Sequence, residues 1–344
     1  AYADRLALGD FGGFLSGISS DERWWGTAFV DRVSGVVLSV IGPNLKAEFL
    51  VFALLSFLGL VAMVIAVGRI NGSKQARSFA ALVFVWPSLW FWPSTVGKES
   101  LVLLGIGLAF LGYVGARGKP LWPWLVVGVL LVFFCRPHVA LVLMLGMLVA
   151  HVLRPGVRVS MVRAAQLVVI GLATCFIFFG MARLFGIEEG RQRGMGEFVE
   201  MKSENTLRGG SSLDSTPIQE GKPWLALPNF WLRPFPWEAT SLVSAFAATE
   251  MVVFWLAVVL KRKRAWANLK SWRQDAGTRF ALPTVLGYSL MLGSIIGNLG
   301  ILVRQRTLIL PLAFLLIVAQ TGRSRPPKGG WVNSGLPPTG SRTG

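Results

Sequence analysis

Long runs without charge constrain this chain more than any other feature. "LVFALLSFLGLVAMVIAV", residues 50–67, holds no charged side chain, and "LVSAFAATEMVVFWLAVVL", residues 242–260, holds only Glu250. About 20 apolar residues in a helix cross a hydrocarbon layer of ~30 Å. In lipid the backbone must satisfy its own hydrogen bonds, which leaves helices as the form such runs can take. Runs of this kind lie at 48–68, 78–94, 99–115, 121–135, 137–153, 164–186, 240–260, 280–300 and 301–320. The expected fold is therefore all-α, a polytopic transmembrane helical bundle of about nine spans. Composition agrees: the chain is 53% hydrophobic and 15% charged, where a soluble domain carries roughly 25% charge. Cys135 and Cys175 both sit in apolar runs and read as core residues, not as a disulfide.

A net charge of +17 raises nucleic acid as a partner, but its distribution points elsewhere. Alternate connections between the runs hold Arg69, Lys74 and Arg77, then Arg117 and Lys119, then Arg154, Arg158 and Arg163. The block "KRKRAWANLKSWRQDAGTR" and the tail complete 19 of the 34 basic residues, with Asp275 as the one acid among them. The positive-inside rule makes these connections cytoplasmic. The excess is a topology signal with anionic lipid as its natural counterpart, and no nucleic acid is expected. The implied location is a bacterial cytoplasmic (inner) membrane, crossed many times, with a cytoplasmic C-terminus.

Residues 1–47 form an extracytoplasmic or interfacial segment in this topology. An exported N-terminus leads us to expect a further transmembrane segment upstream of Ala1, about ten spans in the intact protein. Residues 48–186 are the first part of the bundle, 187–239 a large extracytoplasmic loop, 240–320 the second part, and 321–344 a cytoplasmic tail. The loop opens with a polar stretch, "EEGRQRGMGEFVEMKSENTLRGG", expected to be mobile because it has little apolar surface to bury. It closes with "KPWLALPNFWLRPFPWEA", expected to lie rigidly on the outer membrane face. The Gly-, Pro- and Ser-rich tail reads as disorder.

Polar clusters interrupt the apolar sequence on one side only. Lys98 and Glu99 fall at the turn between the second and third spans, and Arg136 and His138 at the turn between the fourth and fifth. Arg233 and Glu238 lie where the large loop re-enters. Asn298, Arg304 and Arg306 lie between the last two spans, and Asp31 and Arg32 in the first loop. Each has a bland alternative, such as an interfacial ion pair with Lys snorkelling or a tight proline turn. Glu250, mid-span, reads as structural and His151 as interfacial. The gathering of these clusters on one outer side argues for a polar cavity there.

Cations dominate the set: Lys98, Arg136, Arg233, Arg304 and Arg306. Arg forks match phosphate oxygens in pairs and Lys acts as a point charge. An anion with an apolar body, met outside a cytoplasmic membrane, is a lipid-linked diphosphate. Glu238, Glu99 and Asp31 are candidates for a general base or for holding the arginines, and His138 for a proton acceptor near neutral pH.

At "PSLWFWPSTVGKES", "RPHVAL", "LRPFPWEA" and "NLGILVRQRTLILP" the chain resembles a group of bacterial integral membrane proteins. These are described as O-antigen or exopolysaccharide polymerase-like and are related to GT-C-type glycosyltransferases. The resemblance spans about residues 80 to 315. It implies sugar transfer from an undecaprenyl-diphosphate donor at the outer face, in surface polysaccharide assembly alongside other assembly proteins. Metal-dependent GT-C enzymes carry an acidic pair in the first outer loop, where this chain offers only Asp4, Asp10 and Asp31. That departure favours chemistry without a metal or other cofactor. Two other classes stand beside it: a transporter or flippase for an anionic lipid or solute, and a non-catalytic membrane assembly partner. Transporters usually show inverted repeats and midplane polar groups; here the polar groups gather at the outer end and no repeat is seen.

Overall fold

The computed structural model describes residues 2–9, 24–115, 120–155 and 211–319, and isolated positions between 161 and 207. Most of the expected span at 164–186, most of the polar half of the large loop and the C-terminal tail lie outside the described residues. Every named element is helical, with one isolated antiparallel bridge between Ser212 and Asn298.

In chain order the helices are α1 (Tyr2–Ala7), α2 (Thr27–Ile41), α3 (Leu45–Asn71), α4 (Ser73–Val85), α5 (Pro87–Phe91) and α6 (Lys98–Val114). They continue with α7 (Trp122–Cys135), α8 (Pro137–Val152), α9 (Ala226–Leu232), α10 (Leu242–Leu260), α11 (Arg262–Lys270), α12 (Ala276–Ile295) and α13 (Leu299–Val318). Three of them, α3, α10 and α13, are long and apolar enough to cross a membrane. The run expected as one span over 78–94 is broken. Trp86 is extended (φ −74°, ψ 115°) and Pro87 opens α5, because the proline ring drives the residue before it out of the helical region. Asn298 begins α13 by accepting the Ile301 N–H at 3.1 Å, an ordinary N-cap.

Small residues let three helices approach closely. A Cβ added at Gly107 of α6 would lie 2.1 Å from the carbonyl oxygen of Gly59 in α3. On the other side of α6, a Cβ at Gly128 of α7 would lie 2.4 Å from the Ala109 amide nitrogen. Such backbone contact without side chains is how helices gain packing energy where no hydrophobic drive exists between them. Helix α13 is the centre of the bundle, with 83% of its apolar window buried, whereas α10 has 22% buried and lies at the edge. Aromatic rings fill the space between: Phe110 and Tyr113 each meet Phe280 at 5.2 Å, and Trp86 meets Phe314 at 4.9 Å.

Part of the stretch 187–239 packs into the bundle. Helix α9 docks on α12, where Asn229 Nδ2 donates to the Gly293 carbonyl at 2.8 Å and Phe230 is fully buried.

Two opposite ends of the bundle follow from these contacts. At one, Asn71 Nδ2 donates to Asp275 at 3.1 Å, Arg69 to the Gly115 carbonyl at 3.0 Å, and Asn268 to the Leu316 carbonyl at 2.9 Å. Basic residues gather there, and Asp275 is the sole carboxylate among the described residues at that end. The other end carries the starts of α6, α8, α10 and α13.

Candidate functional site: a carboxylate held by two arginines

The most buried helix carries "RQR", residues 304–306. Successive residues of a helix point about 100° apart, so Arg304, Gln305 and Arg306 reach three different neighbours.

Arg304 donates from Nη2 to Glu99 Oε2 at 2.5 Å. The other oxygen of Glu99, Oε1, receives Arg136. Glu99 has no solvent exposure at all, so it would be prohibitively costly as a lone charge; two guanidinium partners offset that. Sequence places Glu99 in the first turn of α6, where the helix dipole also favours negative charge.

Gln305 extends the network. Its Oε1 accepts Arg136 Nη1 at 2.8 Å and the Tyr288 hydroxyl at 3.1 Å. Arg136 is thereby gripped by a carboxylate and an amide from two other helices. Gln305 and Tyr288 are absent from the residues expected at this site. Both are uncharged and sit within apolar runs, so only their neighbours reveal them.

Lys98 completes this first cluster. Gly26, with φ +75°, lies so close that an added Cβ would meet Lys98 Nζ at 3.5 Å. The turn bearing Gly26 is tied to the end of α7 by its N–H bond to the Phe134 carbonyl, 2.7 Å. That tie brings α2 and Asp31 alongside. Desolvation lifts the Asp31 carboxyl above its ordinary range, and the charges of Lys98 and Arg32 oppose the rise. Arg32 itself is buried, its guanidinium 4.4 Å from the Trp24 ring. His138 stands in the first turn of α8, half-buried beside Arg136 in the chain.

Arg306 belongs to a second cluster. It donates to the Arg233 carbonyl and lies 5.7 Å from the Phe230 ring. Arg233 pairs with Glu238 Oε1 at 3.1 Å, and Glu238 Oε2 accepts the Phe235 N–H at 2.8 Å. Both oxygens of Glu238 are thus engaged in closing the "RPFPWE" turn. Glu250 accepts the Ser88 N–H at 2.7 Å and faces Arg306 electrostatically.

 Charge is balanced in this second cluster, with Arg233 and Arg306 set against Glu238 and Glu250. In the first, Lys98, Arg136, Arg304 and Arg32 outnumber Glu99 and Asp31 among the described residues. Arg304 is also the most open of the three guanidinium-bearing side chains that bind a carboxylate here, 43% exposed against 14% for Arg136 and 32% for Arg233. The cations expected around one polar cavity therefore fall into two clusters, reached from different faces of α13. Asn298 stands apart from both, its amide oxygen spent on the α13 cap and on Ser211 Oγ at 3.3 Å.

Between α5 and α10 runs a groove of about 550 Å³, lined by Trp90, Phe91, Trp92, Val243, Phe246 and Val303, with Glu250 and Ser88 as its polar groups. Val303 precedes Arg304 in the chain, so the apolar groove and the cationic cluster occupy neighbouring faces of one helix. Among the described residues no group of three or more His, Cys, Asp or Glu is placed to hold a metal ion. Comparison with protein-family models, curated proteins and solved structures finds no match to the chain.

Proposed function

We propose that the chain is a multi-pass membrane enzyme that transfers or polymerises sugar carried on a polyprenyl diphosphate. It acts at the extracytoplasmic face of a bacterial inner membrane, in surface polysaccharide assembly. The observation that carries this reading is the pairing of an under-compensated cationic cluster with an apolar groove on the adjacent face of α13. A ligand that satisfies both has an anionic head and a long apolar body. The shorter helices complete a nine-span arrangement in this reading. The basic end of the bundle faces the cytoplasm, as the segregation of charge supports.

Glu99 is a positioning residue here: fully buried and bound on both oxygens, it aims Arg136 and Arg304. Arg304, with Lys98, holds the diphosphate. Asp31 is the accessible carboxylate of the cluster and serves as general base. It takes the proton of the acceptor hydroxyl as that oxygen bonds to the anomeric carbon. The bond from that carbon to the diphosphate oxygen breaks, and its electron pair departs on the diphosphate, where the cations stabilise the charge.

The test is the purified chain in proteoliposomes supplied with a diphosphate-linked lipid sugar. Glycan extension should occur in the parent protein and be lost in Asp31→Asn and Arg304→Ala. Lipid crossing the bilayer with no new glycosidic bond would replace the enzyme by a flippase. Neither activity would leave the assembly-partner reading.

A further inference from the structure

We propose that α11 is a docking surface for anionic phospholipid headgroups at the membrane boundary. The helix follows α10 after Lys261 alone. Because α10 lies at the edge of the bundle with most of its apolar window uncovered, its end marks where the hydrocarbon stops.

The orientation of α11 is set by Asn268, buried and bonded to the Leu316 carbonyl at 2.9 Å. Lys263, Trp266 and Lys270 follow the three- and four-residue spacing of one helix face, and that face is opposite Asn268. Trp266 is 61% exposed, and Lys270 Nζ lies 5.5 Å from its ring. Arg262 flanks the same face, and Lys261 and Arg264 are exposed beside it. Lys261, Lys263 and Arg264 have no ion-pair partner among the described residues. The nearest carboxylate in sequence, Asp275, is occupied: it accepts the Thr278 N–H at 2.7 Å and Asn71 Nδ2 at 3.1 Å. Among the described residues these basic groups therefore have no internal counter-charge. An indole at headgroup level with lysines on both sides is the arrangement that suits an anionic bilayer surface.

The experiment uses the full chain in neutral detergent, titrated with phosphatidylglycerol or phosphatidylcholine. Retained lipid is counted by native mass spectrometry, and the unfolding midpoint is followed in parallel. The parent protein should retain phosphatidylglycerol in preference and gain midpoint from it. The preference should fall at least about tenfold in Arg262→Gln/Lys263→Gln/Lys270→Gln. It should survive in Arg262→Lys/Lys263→Arg/Lys270→Arg, and in Lys222→Gln at the opposite end. Salt at ~1 M, where the screening length is ~3 Å, should weaken it in the parent protein without any substitution. Equal retention of both lipids, an unchanged preference in the glutamine variant, or the same midpoint gain from inorganic phosphate alone would overturn the proposal.

Discussion

Arg304 and Glu99 stand 205 residues apart in the chain, and their side chains meet at 2.5 Å. Glu99 is also bound by Arg136, from 37 residues away. Three helices are therefore joined through one buried carboxylate. A charge so placed stabilises only while its partners remain, since a buried ion left alone has lost its hydration on folding with no partner to offset the loss.

Replacing Glu99 by Gln should cost about 3–5 kcal/mol of stability, because two guanidinium groups lose their counter-charge. Unfolding of the purified protein in detergent measures this. A double-mutant cycle of Glu99→Gln with Arg304→Gln should show clear coupling; additive losses would contradict the contact.

If Arg304 holds the diphosphate as proposed, Arg304→Lys should impair glycan extension although the charge is kept, since Lys lacks the planar two-pronged geometry. Arg304→Ala should be worse, losing a charge-assisted contact of about 1.5–3 kcal/mol. Kinetics with the lipid-linked donor check both. Full activity in Arg304→Ala would remove this residue from the site.

The pH profile tests Asp31. In the proposed mechanism activity requires its ionised form, and its carboxyl is held above the usual range by desolvation. The acid limb of the profile should therefore lie above the ordinary Asp value of about 3.9. Lys98 opposes that rise, so Lys98→Gln should move the limb further up. A limb that stays in place in Asp31→Asn would assign the proton to another group.

Packing at the α3–α6 crossing should tolerate no side chain. Gly107→Val should cost at least about 1–3 kcal/mol through overpacking, as its Cβ would lie 2.1 Å from the Gly59 oxygen. Gly68→Ala, whose added Cβ would meet Ala76 Cβ at an ordinary 3.5 Å, is the control and should be near neutral. Thermal unfolding compares the two.

Topology can be read by labelling. Asp214 lies near the start of α13 and Gln274 at the basic end; both are exposed. In a background with Cys135 and Cys175 replaced by Ser, Asp214→Cys should react with an impermeant thiol reagent from outside intact cells. Gln274→Cys should react only after permeabilisation. The reverse pattern would place the Glu99 cluster on the cytoplasmic side.

Sequence alone determined the class of structure. Uncharged runs such as 50–67 dictate helices because lipid leaves the backbone no other partner. The helix starts at Lys98, Pro137 and Leu299 fall close to the expected edges because local features set them: an acidic first turn, a proline and an Asn cap. Clustering of Lys98, Glu99, Arg136 and Arg304 at one end was legible in the same way, from the alternation of connections. Which of those charges meet was decided by the tertiary structure. "RQR" does not show whether its two arginines serve one ligand or two; helical rotation on a buried helix separates them, sending Arg304 to Glu99 and Arg306 to Arg233. Tyr288 and Gln305 carry no charge to announce them, and their role exists only once α12 and α13 pack against Arg136. Contacts across 37 and 205 residues depend on how whole helices cross. Those crossings rest on close approaches such as Gly59 to Gly107, which no local period encodes.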